Sequence, residues 1–128
     1  LVFQPTFMSL LDIFMPHIQV LDATPYFAYD PSSLPVDASI KIRFSEPLPT
    51  FYRQYIYVEI TPNIPIKRIW LNENYVDCCR TLLIEPNKFF PGSTYPRFEP
   101  NQKYRLRISS PLLLKPAYFE FSTKDEHP

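Results

Sequence analysis

Proline interrupts this chain sixteen times in 128 residues, while glycine occurs once, at Gly92. A proline fixes φ and lacks a backbone donor, so each one belongs at a helix start, a strand end, a sheet edge or a turn. Ile66 to Glu85 is the one proline-free interval with room for a substantial helix, which excludes a helix bundle. Within it, Ile69-Trp70-Leu71 and Thr81-Leu82-Leu83-Ile84 read better as two strands around the polar turn Asn72-Glu73-Asn74. A parallel α/β sheet would need several crossover helices of about a dozen residues each. The prolines leave no room for them. The scarcity of glycine also excludes collagen-like repeats and Gly-rich phosphate loops.

Between the prolines, apolar and polar residues take turns with a period of two, the pattern of strands with one face buried. Ile18 to Ala23 opens the series. Ile40, Ile42 and Phe44 then alternate with Lys41, Arg43 and Ser45, the cleanest instance. Ile56, Val58 and Ile60 alternate with Tyr57 and Glu59, and Ile69 and Leu71 with Arg68 and Trp70. Leu82 and Ile84 face inward with Thr81 and Glu85 outward. Tyr104, Leu106 and Ile108 alternate with Lys103, Arg105 and Arg107, and Phe119 and Phe121 with Tyr118 and Glu120. About seven strands at this spacing predict an all-β antiparallel sandwich. With 45% apolar and 20% charged residues the chain can bury a single core, so it is one domain and not a disordered segment. The sandwich is expected over residues 18–124, with an apolar segment over 1–17 and a tail over 125–128.

The N-terminal segment is the greasiest part of the chain. Pro5, Asp12 and Pro16 interrupt it well short of the roughly 20 apolar residues that a membrane span requires, so no span is expected. Phe7, Leu10, Leu11 and Phe14 recur at i, i+3, i+4 and i+7, which predicts two helical turns with one apolar stripe. That stripe folds back on its own domain, packs on a neighbouring domain of the same chain, or docks a protein partner or a second copy. Met8 and Met15 would help it fit an irregular groove. The chain opens on Leu1 and not Met, which suggests a fragment or a processed chain.

The passage from Ala23 to Leu48 carries Leu34-Pro35-Val36-Asp37, then Ile40, Ile42 and Phe44-Ser45-Glu46-Pro47-Leu48. Glu99-Pro100-Asn101-Gln102-Lys103-Tyr104 through Ile108 follows, and Phe119-Glu120-Phe121-Ser122-Thr123 closes the series. In this order the motifs resemble bacterial Ig-like domains of the S-layer SbsA type, over roughly residues 18–124. The resemblance implies a seven-stranded sandwich, a structural or interaction role, and an extracytoplasmic location at the cell surface, in the periplasm or secreted. The family usually spends several glycines on its turns, and the stretch from Asn87 to Arg97 looks like an insertion. Tyr104 suits a tyrosine corner, with its ring beneath the sandwich and its hydroxyl bonded to upstream backbone.

Residues that carry chemistry are sparse. The two histidines, His17 and His127, stand at opposite ends of the domain, poorly placed to activate a nucleophile. No pair of His or Cys has metal-ligand spacing apart from the adjacent Cys78-Cys79, and no cofactor is implied. Alternation along a strand would leave one of these thiols inward and one outward; a strained vicinal disulfide is the other reading. Asp22, Asp30 and Asp37 flank the first turn without forming the dense acidic loop of a calcium site. Thirteen basic and thirteen acidic residues give zero formal charge, which removes the electrostatic footprint expected for nucleic acid, even if Arg53, Lys67, Arg68, Arg105 and Arg107 shared a face.

Aromatic residues make up 16% of the chain, clustered as Tyr26, Phe27 and Tyr29 and again as Phe51, Tyr52, Tyr55 and Tyr57. They serve as core and edge filler, or Tyr52, Tyr55 and Tyr57 form a platform for sugar rings or a partner. The expectation from sequence is a non-catalytic Ig-like structural or protein-interaction module of a larger exported bacterial protein. A carbohydrate-binding module is the alternative, and a small hydrolase a third.

Overall fold

The computed structural model describes residues 17–71 and 79–125. Seven strands and one short helix follow in the order β1 (Val20–Pro25), β2 (Ile40–Phe44), α1 (Thr50–Arg53), β3 (Tyr57–Thr61), β4 (Ile66–Leu71), β5 (Thr81–Pro86), β6 (Lys103–Ser109) and β7 (Ala117–Ser122). The strands form two antiparallel sheets, β1-β2-β5-β4 and β3-β6-β7, so the fold is an all-β sandwich. This is the strand order of the constant-type immunoglobulin arrangement, where A-B-E-D faces C-F-G.

One continuous core fills the space between the sheets, from Ile18 to Phe121. Alternation explains why these segments are strands. In β2, Ile40, Ile42 and Phe44 are buried between the exposed or half-buried Lys41 and Arg43. In β6, Tyr104, Leu106 and Ile108 are buried while Lys103 and Arg105 face water. Ile42 pairs with Leu82, and Leu106 with Phe119, so register sets inward residues beside inward residues.

Two strands depart from the alternation read in the sequence. In β4 the inward face carries Ile66 and Trp70, which pack on the core, with Trp70 stacked on Phe44 at 5.7 Å between ring centroids. Ile69 and Leu71 therefore point outward, the reverse of the expected assignment. The cause is visible at Arg68, which shares the inner face of this edge strand and donates from Nη2 to the Ile56 carbonyl at 2.6 Å. In β5, Thr81 is fully buried although it lies on the outer face. β5 is a central strand, and Thr81 sits between its register partners Arg43 and Leu71, which shield it on both sides.

Tyr104 forms the expected corner. Its side chain is 1% exposed, and its hydroxyl accepts a hydrogen bond from the Glu99 backbone N–H at 3.0 Å, five residues upstream. Phe98 and Phe121 close on its ring at centroid distances of 5.2 and 5.3 Å. Burial pushes the Tyr104 phenol above its ordinary value, against the opposing hydrogen bond from Glu99. Thr123 completes the corner by donating from Oγ1 to the Glu99 carbonyl and accepting from the Gln102 N–H at 2.9 Å.

The stretch from Asn87 to Arg97 forms a small closed loop. Its ends meet where the Arg97 N–H donates to the Lys88 carbonyl at 3.0 Å, and the Phe90 ring lies between the cationic groups of Lys88 and Arg97 at 4.8 and 4.9 Å. Gly92 supplies the φ of +78° at its tip, a conformation that L side chains rarely adopt.

Candidate interaction surfaces

Polar side chains on the outer face of the β3-β6-β7 sheet are matched to one another across the strands. Arg107 sits beside Glu59 on β3 and Tyr118 on β7, its register partners, with 3.6 Å between Nη1 and the Glu59 carboxylate and 3.2 Å between Nε and the Tyr118 hydroxyl. Arg105 lies 4.5 Å over the Tyr118 ring, and Lys103 pairs with Glu120 at 3.1 Å. The five basic residues considered for one face are divided among different places. Arg53 lies 5.7 Å over the Trp70 ring and donates to the Leu48 carbonyl, Arg68 donates to Ile56, and Lys67 belongs to β4 of the other sheet.

The acidic residues near the first turn are held separately. Asp22 accepts from the Arg43 guanidinium through both carboxylate oxygens, which holds its carboxyl below the ordinary value. Asp30 accepts from the Ser32 backbone and hydroxyl at 2.9 and 2.7 Å, which lowers its pKa in a local turn. Asp37 is exposed. Among the described residues no three His, Cys, Asp or Glu side chains come together as a metal-binding group. His17 meets Glu46 at 2.7 Å on the surface, and His127 lies outside the described residues. Cys79 is buried and disulfide-bonded, not the free thiol that simple alternation predicts; Cys78 lies outside the described residues.

Aromatic residues divide into buried and exposed sets in a way the sequence does not show. Tyr52, named with Tyr55 and Tyr57 as a platform, is only 6% exposed, because α1 turns it into the core. Tyr55 is half-buried against the core, with its ring 5.9 Å from Phe51, and Tyr57 is exposed on the outer side of β3. Three rings in these positions do not share a surface. The exposed aromatic cluster lies instead in the loop after β1, where Tyr26, Phe27 and Tyr29 stand together with Phe27 64% exposed. Their rings meet edge to face at centroid distances of 5.1 and 6.1 Å. The loop is fixed by the Tyr26 N–H donating to the Ser39 carbonyl and the Tyr29 N–H to Phe27.

Phe7, Leu10, Leu11 and Phe14 lie outside the described residues. No helix among the described residues is long and apolar enough to cross a membrane. A second surface feature escaped the sequence reading, a groove of about 650 Å³ between the start of β1 and the approach to β7, with Val20, Leu114 and Phe119 in its walls. Its one sequence signal is the run Leu112-Leu113-Leu114 between Pro111 and Pro116, which holds more leucine than a turn needs. The chain matches no family model, no curated protein and no solved structure.

Proposed function

We propose that this chain is a non-catalytic Ig-like module of a larger exported bacterial protein, and that it contacts protein through the loop carrying Tyr26, Phe27 and Tyr29. The aromatic cluster carries the reading. Three large rings held in water by a hydrogen-bonded loop form an anchor of the kind that dominates protein interfaces. The mutual pairing of the charged side chains on the β3-β6-β7 face supports a scaffold role, since their hydrogen-bonding capacity is used within the sheet. The extracytoplasmic location rests on the resemblance to bacterial Ig-like domains of the S-layer SbsA type.

Carbohydrate binding is the competing reading. Sugar stacking favours ring faces lying side by side, whereas the interplanar angles of 88° and 74° within the cluster set successive rings edge-on. The test compares hydrogen exchange in the isolated module and in the longer protein that contains it. Residues 26–33 are expected to slow in the longer protein, and Phe27→Ser is expected to abolish the difference. Equal exchange at residues 26–33 in both would defeat the protein-contact reading. Oligosaccharide-induced NMR shifts at Tyr26 and Tyr29 that vanish in Phe27→Ser would replace it with the glycan reading.

A further inference from the structure

The outer edge of β7 is closed at both ends and open in between. At one end, the Ser122 N–H donates to the Pro31 carbonyl and the Leu34 N–H donates to the Ser122 carbonyl, both at 2.8 Å. At the other, Pro116 has no N–H to offer, and Leu114 gives its own to the Ile18 carbonyl at 3.1 Å. Because Ser122 turns its backbone groups away from β6, the two-residue period turns those of Tyr118 and Glu120 the same way. Among the described residues these groups find no backbone partner on that edge. On the inner side of this stretch runs the groove with Val20, Leu114, Ala117 and Phe119 in its walls. On the outer side, Lys103, Arg105 and Arg107 form a row on β6 against two carboxylates, Glu59 and Glu120. Glu120 is the register partner of Arg105 but pairs with Lys103 at 3.1 Å. Arg105 lies over the Tyr118 ring, with no ion pair among the described residues.

We propose that two copies of this chain join β7 to β7 in antiparallel, centred on Phe119, so that the β3-β6-β7 sheet continues from one copy into the other. An open edge beside an apolar groove is a template for pairing with another chain, and β7 is its own complement. With Phe119 opposite the partner's Phe119, Tyr118 faces the partner's Glu120 at both sides of the two-fold axis, and each such pair exchanges its free N–H and carbonyl groups. The next register in one direction sets Glu120 against the partner's Glu120, opposing like charges, and in the other sets it against Pro116, which lacks a donor. In the centred register the partner's Glu120 carboxylate comes beside Tyr118, where Arg105 stands without an ion pair. The two Phe119 side chains form the closer, non-hydrogen-bonded kind of pair and fill the groove from either side. Pairing stops at the same place at both ends, because Pro116 of one copy meets Ser122 of the other, whose backbone groups are already taken by Pro31 and Leu34. Zero formal net charge sets no long-range repulsion between the copies. The inference does not depend on which partner the aromatic loop contacts.

The test uses the full 128-residue chain, with mass determination in solution and hydrogen exchange across a dilution series. A dimeric mass is expected to build up as concentration rises toward about 1 mM, with the Tyr118 and Glu120 amides slowing in step and those of Tyr104 to Ile108 unchanged. Glu120→Pro removes an outward N–H without touching the ladder to β6 and is expected to stay monomeric throughout. Glu120→Arg and Arg105→Glu keep the backbone intact and carry the test if Glu120→Pro fails to fold. Each alone is expected to weaken the dimer on the order of tenfold, since each change acts twice across the two-fold axis. Mixing these two variants is expected to restore dimers, because one contact is then native and the other has both charges reversed. A monomeric mass up to about 1 mM overturns the proposal. Protection of the Tyr118 and Glu120 amides that is independent of concentration also overturns it, by assigning the edge to an occupant within the molecule. A dimer that the Glu120 variants leave unchanged does the same, by placing the interface elsewhere.

Discussion

Among the described residues two tyrosines are buried, and they are buried in different ways. Tyr104 gives its hydroxyl to a backbone N–H at the corner before β6, between Phe98 and Phe121. Tyr52, in α1, places its hydroxyl out of water with no hydrogen-bond partner among the described residues, beside Phe51. A phenol that satisfies a buried backbone donor contributes a net hydrogen bond, whereas one that satisfies nothing carries the desolvation cost of its own oxygen. The first ring thus fixes how the chain turns into β6, and the second fills volume. Burial alone does not distinguish them; the partner does.

The comparison is sharpened most strongly at the ring that supports the corner. Phe98 is fully buried, and Phe98→Ala is expected to cost about 3 to 5 kcal/mol in denaturant melts; a cost under about 1 kcal/mol would show that the corner collapses easily. Tyr104→Phe is expected to cost about 0.5 to 1.5 kcal/mol, because the Glu99 N–H loses its acceptor, and unchanged stability would break the corner assignment. The same variant has a pH signature. With the folded phenol titrating above its ordinary value of 10.0, the folded state holds its proton longer than the unfolded chain, so stability falls as pH rises above 10.0. Tyr104→Phe should lose this contribution to the alkaline slope.

Tyr52→Phe is expected to be neutral or stabilising by up to about 1 kcal/mol. A loss larger than that, measured beside Tyr104→Phe, would mean that the two hydroxyls are equivalent after all. The smallest effect is expected far from both rings. Asp22 is held below its ordinary value of 3.8 by Arg43, so its contribution is present above that pH and is lost as pH falls through the lower folded value. For a pair this open to solvent, Asp22→Asn should cost about 0.2 to 1 kcal/mol at pH 7 and less at pH 2. Comparison of melts at the two pH values checks it.

The strands were legible where one face of a segment was apolar and the other was not. Leu106 between Arg105 and Arg107 leaves one solution, and β6 takes it. Tyr104 was legible through its place before an alternating run and after a proline-rich bend. The inward face of β4 was not, because Ile66 and Trp70 on one face compete with Ile69 and Leu71 on the other, and a period of two does not choose between apolar sets. Arg68 decides it through a bond to a residue twelve positions away. Tyr52 was misassigned as a platform residue because Phe51, Tyr52 and Tyr55 are equally aromatic; a single turn of helix, not composition, selects the ring that enters the core. The groove was illegible for a broader reason, since β1 and β7 are distant in sequence and belong to different sheets.

The bridges Ile18–Leu113 and Leu34–Thr123 join early and late parts of the chain in parallel. A pull applied through residues 17 and 125 would not peel these contacts open one by one. It would slide the segments past each other and load the Leu34–Ser122, Leu34–Lys124 and Ile18–Leu114 hydrogen bonds together. A sandwich tied in this way bears tension along its length through bonds that must fail at once.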